Sequence, residues 1–116
     1  MDERVDAILV MTTTKDAAEA GKLAEALVQR GLAACVQVAS VDSHYVWRGR
    51  SERQSEYLLL IKTVAARYGD IEAYLRGAHS YSVPEILQFP ASGGSGDYLV
   101  WLKENSQAQG AASAEG

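Results

Sequence analysis

The chain has little of what would point to a secreted or membrane protein. Its 116 residues include one cysteine, Cys35, so no disulfide can form within the chain, and we expect a reducing compartment. No apolar run approaches the roughly 20 residues of a membrane-spanning helix. Residues 1–4 are acidic, where a signal peptide would be basic and then apolar. We therefore expect a cytoplasmic protein with no membrane partner.

The sequence also lacks an excess of positive charge and the motifs of common catalytic sites. A net charge of -4 and a pI near 5.1 argue against nucleic acid or an anionic membrane surface as the partner. No G-x-S-x-G elbow, phosphate-binding loop, CxxC pair or HxxxH pair is present. We therefore predict that the protein is not an enzyme and holds no tightly bound cofactor.

The length and composition predict one globular domain followed by a disordered tail. A hydrophobic fraction of 47% and a charged fraction of 22% are those of an ordinary globular protein, and 116 residues suffice for one core. Residues 106–116 are small and polar with no periodicity, a pattern typical of disorder. The predicted domain therefore spans residues 1–105.

A long hairpin over residues 41–63 is the strongest local pattern. Val41, Ser43, Tyr45 and Trp47 alternate along one predicted strand and share a face. Gly49 supplies the positive φ that a tight turn requires. The returning strand is polar over residues 52–56 and apolar over residues 57–61. We therefore expect its apolar half at the centre of a sheet and its polar half projecting beyond that sheet.

The remaining patterns complete a strand–helix–strand–strand–helix–strand order. An apolar strand over residues 7–11 ends at polar residues 12–15, and a helix follows, with Asp16 and Glu19 as its capping pair and Gly31 at its end. The other predicted elements are an extended segment over 32–40, a helix over 65–76 stopped by Gly77, a strand over 85–89 and a short last helix capped by Asp97. This order predicts an α+β, ferredoxin-like βαββαβ fold with the first and third strands central.

Both central strands are apolar at consecutive positions, over residues 7–11 and 58–61. In a fold with helices on one face only, a half-exposed strand would alternate apolar and polar residues. A second apolar face of this size is not stable in water. The alternative is that the tail or the hairpin folds over this face within one chain; the tail is too polar for that, so we predict oligomerisation through the open face.

Three residues are candidate metal ligands: Cys35, His44 and His79. Cys35 also fits a small buried side chain, and His79 also fits a cap at the end of the second helix. The chain has no chelating spacing among its two histidines and one thiol. We therefore predict at most weak binding of copper or another divalent cation, between subunits or at the surface.

A second group of residues can line a ligand cleft or form packing and ion pairs. Lys62 lies at the end of the third strand, within reach of Glu85 at the start of the last one, and the pair is either a salt bridge or part of a binding site. The aromatic residues Tyr45, Trp47, Tyr81 and Tyr98 are either stacking residues in a cleft or packing between subunits. The residue patterns leave both interpretations open.

Several motifs together resemble those of the CutA family, the divalent-cation tolerance proteins. The spacing Val41-x-Ser43-x-Tyr45-x-Trp47-x-Gly49, followed by Glu56 and Lys62-Thr63, is similar to the hairpin of that family. Residues 32–37 (LAACVQ) resemble its LAAC-V-N stretch, with Gln37 in place of Asn. Residues 79–86 (HSYSVPEI) resemble H-P-Y-x-x-P-E-I, with Ser80 in place of Pro, and residues 97–102 resemble its closing helix.

The resemblance implies a tight homotrimer in which the hairpin reaches a neighbouring subunit, and a role in the response to metal ions. It also implies similarity in assembly to the PII signalling proteins. By that analogy a small ligand or protein partner would bind at clefts between subunits. The cleft residues implied in this way are Cys35, Trp47, Lys62, Tyr81, Glu85 and Tyr98.

Overall fold

A computed structural model describes residues 5–107 as an α+β fold with the predicted βαββαβ order. The strands are β1 (Ala7–Thr14), β2 (Cys35–Trp47), β3 (Arg50–Val64) and β4 (Leu87–Pro90). The helices are α1 (Ala17–Gln29), α2 (Tyr68–Ala78), which follows a 3-10 turn at Ala65–Arg67, and α3 (Gly96–Glu104). No helix among these residues is long and apolar enough to cross a membrane.

The four strands form one antiparallel sheet in the order β2-β3-β1-β4, which confirms that the first and third strands are central. One face packs against α1 and α2. Alternate residues of the two central strands are buried there against apolar side chains of both helices: Ile8, Val10, Leu59, Ile61, Leu23, Leu27, Ile71 and Leu75. This cluster is the core of the domain, since burying each such side chain contributes about 1.5–3 kcal/mol.

The first helix begins and ends as its sequence predicts. The Asp16 side chain accepts a hydrogen bond from the Glu19 backbone N–H at 2.8 Å, which satisfies one of the free amides of the first turn. Gly31 follows the helix with φ 69°, a conformation that glycine adopts without steric cost. Val28 is 45% exposed, because it lies at the margin of the apolar face of the helix.

The predicted hairpin is present and extends well beyond the sheet. β2 and β3 pair continuously from Cys35 opposite Lys62 to Trp47 opposite Arg50. Arg48 and Gly49 form the turn, both with positive φ, as a two-residue turn of the primed type requires. β1 pairs with β3 only as far as Thr14 opposite Tyr57. Residues 41–47 and 50–56 therefore form a two-stranded projection, called the hairpin ribbon below, and the molecule measures 53 × 34 × 20 Å.

Several predicted boundaries differ from the structure. β1 continues through three threonines to Thr14, because the buried Thr14 hydroxyl donates to the Asp16 carbonyl and so needs no water. α2 includes Gly77, and the His79 N–H bond to the Leu75 carbonyl closes it. β4 begins at Leu87, two residues later than predicted.

The C-terminal segment differs from prediction at both of its ends. Ser95, not Asp97, is the N-cap residue of α3, and Asp97 lies in the first turn. Ser106 was assigned to the disordered tail, yet it is 3% exposed and its hydroxyl donates to the Leu102 carbonyl at 2.8 Å. The other tail residues, apart from Gln107, lie outside the described residues.

The second face of the sheet is partly covered by α3. This helix packs on β1 and β3, and its Leu102 is 2% exposed without belonging to the core under α1 and α2. Leu87 and Phe89 on β4 pair with Met11 and Leu9 of β1 and remain 50% and 44% exposed. An apolar patch therefore persists at the β4 side of this face.

Candidate functional site

A cavity of about 550 Å³ lies where the hairpin ribbon leaves the sheet. Three parts of the chain line it: the end of β1, the hairpin ribbon from its base to Trp47 at its tip, and the irregular segment between α2 and β4. The lining residues are Thr13, Ser43, His44, Tyr45, Trp47, Gln54, Glu56, Tyr81, Ser82, Val83 and Glu85. Its volume is that of a site for a small molecule.

A hydrogen-bonded network joins the ribbon to the opposite wall of the cavity. The Tyr81 hydroxyl donates to Glu56 Oε2 at 2.7 Å and accepts from Gln54 Nε2 at 3.2 Å. The Tyr45 hydroxyl donates to Gln54 Oε1 at 2.8 Å. Burial, and then the hydrogen bond and charge of Glu56, raise the pKa of Tyr81 well above its ordinary value. Tyr81 is therefore a firmly protonated donor that fixes the Glu56 carboxylate.

His79 holds the irregular segment against β1. Its side chain is fully buried, and Nε2 lies 2.8 Å from the Thr13 carbonyl oxygen, which only accepts hydrogen bonds. Nδ1 accepts the Tyr81 backbone N–H at 3.1 Å. The neutral tautomer with its proton on Nε2 satisfies both contacts. The sequence analysis also predicted that His79 could cap the second helix. Its backbone N–H does so, whereas its ring forms hydrogen bonds with β1 and with Tyr81.

Glu19 secures the same segment from α1. Its two carboxylate oxygens accept hydrogen bonds from the Ser80 backbone N–H and the Ser80 hydroxyl, both at 2.8 Å. Glu19 therefore links the start of α1 to the residue before Tyr81, and Tyr81 in turn contacts Glu56. Such charge-assisted bonds are stronger than neutral ones, so the position of Tyr81 is fixed by contacts from α1, β1 and β3.

Glu85 lies in the cavity near Glu56 and is not paired with Lys62, contrary to one predicted interpretation. Burial, and then the charge of Glu56, raise the pKa of Glu85. Lys62 is opposite Cys35 on β2 and Leu9 on β1. Within residues 5–107 it makes no ion pair. Lys62 lies about 20 Å from Glu56 along β3 by the strand rise. Because Glu85 lies near Glu56, Lys62 cannot reach it.

The six predicted cleft residues form two groups within one chain. Trp47, Tyr81 and Glu85 line the cavity. Cys35 and Lys62 are direct neighbours at the other end of β3, and Tyr98 on α3 lies near Cys35. Burial, and then the proximity of Cys35, raise the pKa of Tyr98. One chain therefore does not assemble all six residues into a single site.

The three candidate metal ligands are also separate in the chain. Cys35 is half-buried in β2, His44 is exposed on the hairpin ribbon, and both ring nitrogens of His79 are already hydrogen-bonded. Among residues 5–107, no three His, Cys, Asp or Glu side chains are grouped to hold a metal ion. These residues therefore do not form a metal site within one subunit.

Glu56 and Gln54 are central to the cavity, but the sequence analysis did not predict them as site residues. Glu56 was used there only as a marker of the hairpin motif, and Gln54 only as part of a polar strand. The alternation along β3 gives the one available signal, since Gln54 and Glu56 share a face of the strand. Their contact with Tyr81 depends on the position of a segment 25 residues away, which no local pattern specifies.

Comparisons with known proteins agree with this fold. The family described as CutA1 divalent ion tolerance protein matches residues 8–105. The divalent-cation tolerance protein CutA of Pectobacterium atrosepticum is 41% identical over 98 residues, which cover 84% of this chain and 89% of that protein. A protein of the same name from Thermus thermophilus is 36% identical over 99 residues, or 84% and 96% of the two chains.

Solved structures of similar proteins superpose over most of the chain. CutA1 from the psychrotrophic bacterium Shewanella sp. SIB1 gives a TM-score of 0.84 at 39% identity, over 90% of this chain and 99% of that one. The divalent cation tolerance protein of Thermus thermophilus gives 0.83 at 36% identity, over 86% and 98%. With a family match over residues 8–105 and these relatives, the chain belongs to the CutA1 divalent ion tolerance protein family.

Proposed function

We propose that the protein acts as a homotrimer in the response to divalent cations, without catalysing a reaction. The observation that carries the assembly is the hairpin ribbon. A two-stranded ribbon on its own is marginally stable in water, yet this one presents Val46 at 74% exposure and Trp47 at 49%. Contact with a second copy would bury these side chains and the Leu87–Phe89 patch of β4.

A cyclic arrangement suits the position of these surfaces. The ribbon and the β4 patch are different parts of the chain, so a contact between them would be head-to-tail, and such contacts form a ring when the rotation between subunits closes. The number three is the assembly that the resemblance to the CutA family implies. In a ring, the group of Cys35, Lys62 and Tyr98 on one subunit could meet the cavity of the neighbouring subunit. The two groups of cleft residues would then form one site.

We propose that a divalent metal such as copper binds weakly, with ligands from more than one subunit or from exposed residues. Support comes from the family and from the exposure of His44 on the hairpin ribbon. Imidazole is a good ligand for copper and zinc. Cys35 is the other candidate, because both ring nitrogens of His79 are engaged in hydrogen bonds.

A second candidate function is that of a PII-like signalling or scaffold trimer that binds a small ligand or a protein partner between subunits. The cavity of about 550 Å³ favours this alternative. It combines aromatic and carboxylate side chains, the mixture that orients small molecules in binding sites. The compartment that we propose is the cytoplasm, on the basis of the single cysteine.

Calorimetric titration with copper and with zinc, at pH 7.5 and at pH 5.5, tests the metal proposal. We expect a dissociation constant of about micromolar order at pH 7.5 and weaker binding at pH 5.5, because protonated imidazole does not coordinate metal. His44→Ala should weaken binding, and Ser51→Ala, also on the exposed ribbon, should not. Melting curves should be the same with and without chelator, since the apolar core forms without metal. Absence of binding at both pH values would overturn this proposal.

A further inference from the structure

We propose that the cavity at the base of the hairpin ribbon binds a small organic cation, a primary ammonium group carried on an aromatic or apolar body. This inference deepens the proposed ligand-binding function by naming the chemical class of ligand. It rests on the charge of the cavity, on the free oxygen of Glu56, and on the aromatic rings of the lining.

The charge of the lining selects for a cation. Its residues include two carboxyl groups, Glu56 and Glu85, and no lysine or arginine. Glu19, next to this wall, adds a third negative charge that is felt at Tyr81. A site with low-dielectric walls and charge of one sign concentrates ligands of the opposite sign. An anionic ligand would meet repulsion from each of these groups.

The Glu56 carboxylate has an unfilled position. Glu56 is 8% exposed, and the Tyr81 hydroxyl is the donor to its Oε2. Within residues 5–107, Oε1 accepts no hydrogen bond, although Glu56 lines the cavity. Among residues 5–107 the only buried side-chain nitrogen or oxygen without a hydrogen-bond partner is Arg67 Nε, so Oε1 of Glu56 is open to solvent and can accept a hydrogen bond from a ligand. An ammonium group supplies three N–H donors and a positive charge at this position.

The remaining lining fits the body of such a ligand. Tyr45, Trp47 and Tyr81 contribute aromatic rings, whose faces attract cations and pack against flat apolar groups. The guanidinium carbon of Arg48 lies 5.5 Å from the centre of the Trp47 ring, so Arg48 already contacts this ring, and Tyr45 and Tyr81 are the rings left for the ligand. The volume of about 550 Å³ also exceeds what an ammonium group alone would fill.

A bare metal ion fits the cavity less well. Calcium takes six to eight oxygen ligands, and copper and zinc take several converging nitrogen, sulfur or oxygen atoms. Among residues 5–107 no three His, Cys, Asp or Glu side chains converge in that way. An ammonium group is satisfied by one or two carboxylates and an aromatic face, which the cavity provides.

Calorimetric titration with 2-phenylethylamine, which is an ammonium ion at pH 7.5, tests the proposal. Phenylacetate is the matched anion, with the same ring and a carboxylate in place of the ammonium. We expect a dissociation constant of about 1 mM or below for the amine, and binding at least about tenfold weaker for phenylacetate. Equal binding of the two probes, or no binding of the amine, would overturn the proposal.

Substitutions locate the site. Glu56→Gln keeps an acceptor for the Tyr81 hydroxyl and removes the charge, so the affinity for the amine should fall at least about tenfold. Glu104→Gln makes the same change on the exposed surface of α3 and should leave the affinity unchanged. Melting curves of both variants verify folding. If Glu56→Gln fails to fold, Gln54→Glu is the substitute test: it adds a carboxyl group to the lining and should strengthen binding of the amine.

A further variant separates this proposal from a lysine supplied by a neighbouring subunit. If Lys62 of another copy filled the cavity, the amine would bind Lys62→Ala and not the parent protein, and that result overturns the proposal. Light scattering on the same samples gives the assembly. A trimer that binds no amine defeats only this inference, and a monomer that binds the amine defeats only the proposed assembly.

Discussion

At the scale of single residues, the cavity depends on two carboxyl groups in different surroundings. Glu56 is buried and bonded to Tyr81. Glu85 lies closer to solvent, and burial and the charge of Glu56 raise its pKa. In the folded protein Glu85 therefore binds a proton more readily than in the unfolded chain. Its contribution to stability is complete below the unfolded pKa and is lost as the pH rises through the higher folded pKa.

Replacing Glu85 by glutamine should therefore change the pH dependence of stability. Gln resembles the protonated form of Glu85, so Glu85→Gln should melt at a higher temperature than the parent at pH 7, because burial and the charge of Glu56 disfavour the ionised carboxyl group. The difference should shrink at pH 4, where Glu85 is largely protonated. Thermal melts at the two pH values measure this, with Glu104→Gln as the control. A variant less stable than the parent at pH 7 would contradict the stated effect of Glu56 on Glu85.

The residues of the site were only partly predictable from the sequence. Trp47, Tyr81 and Glu85 were named as cleft residues, and all three line the cavity. The expected reach of Lys62 to Glu85 fails because β4 begins at Leu87 and Glu85 lies near Glu56. Side-chain partners such as Glu56 and Tyr81 are set by tertiary packing, whereas strand alternation gives only the face on which each residue lies.

At the scale of elements, strong local patterns predicted the fold and weak ones misplaced its boundaries. The hairpin turn at Gly49 and the start of α1 at Asp16 follow from residues with one favoured conformation. The end of β1 was misplaced, because its three threonines are polar and resemble a loop. They are nevertheless buried within the strand, which suits β-branched residues. Gly21 lies within α1, where a Cβ would meet no atom within 4 Å, so no close packing requires glycine there.

Two glycine substitutions should therefore have opposite effects on the free energy of unfolding. Gly21→Ala lies within α1 with free space around it, so it should stabilise the protein by about 1 kcal/mol. Gly49→Ala also has space, but at φ +77° it should destabilise the hairpin by about 1 kcal/mol. Urea unfolding of both variants measures the pair. Equal effects at the two positions would contradict the account of the turn.

The hairpin ribbon is the element that we expect to hold the assembly. Trp47 is 49% exposed at its tip, and aromatic side chains of this kind anchor interfaces. Trp47→Ala should weaken association by about 2 kcal/mol or more, seen as dissociation at a higher protein concentration. The control variant is Val83→Ala, which removes another exposed apolar side chain, from the cavity wall and not from the ribbon tip. Its effect on association should be smaller than that of Trp47→Ala. An unchanged concentration dependence for Trp47→Ala would show that the tip is not in the interface.

At the scale of the whole molecule, the apolar second face was predicted correctly and its cover only in part. The consecutive apolar residues of the central strands do give a face that α1 and α2 leave open. α3 of the same chain covers part of it through Leu102, which the pattern of residues 97–102 did not reveal, because a short helix can pack on either side of a sheet. The exposed remainder, with Leu87 and Phe89 on β4, is the part that association would bury.

The assembly is the central claim, since the proposed metal ligands and the cleft between subunits both depend on it. Size-exclusion chromatography with light scattering, at low micromolar concentration, measures it most directly. Association through an apolar face and the hairpin ribbon should make free subunits rare at that concentration. The predicted result is a single species of about three times the 12.5 kDa chain mass. A single species at the mass of one chain would contradict the account.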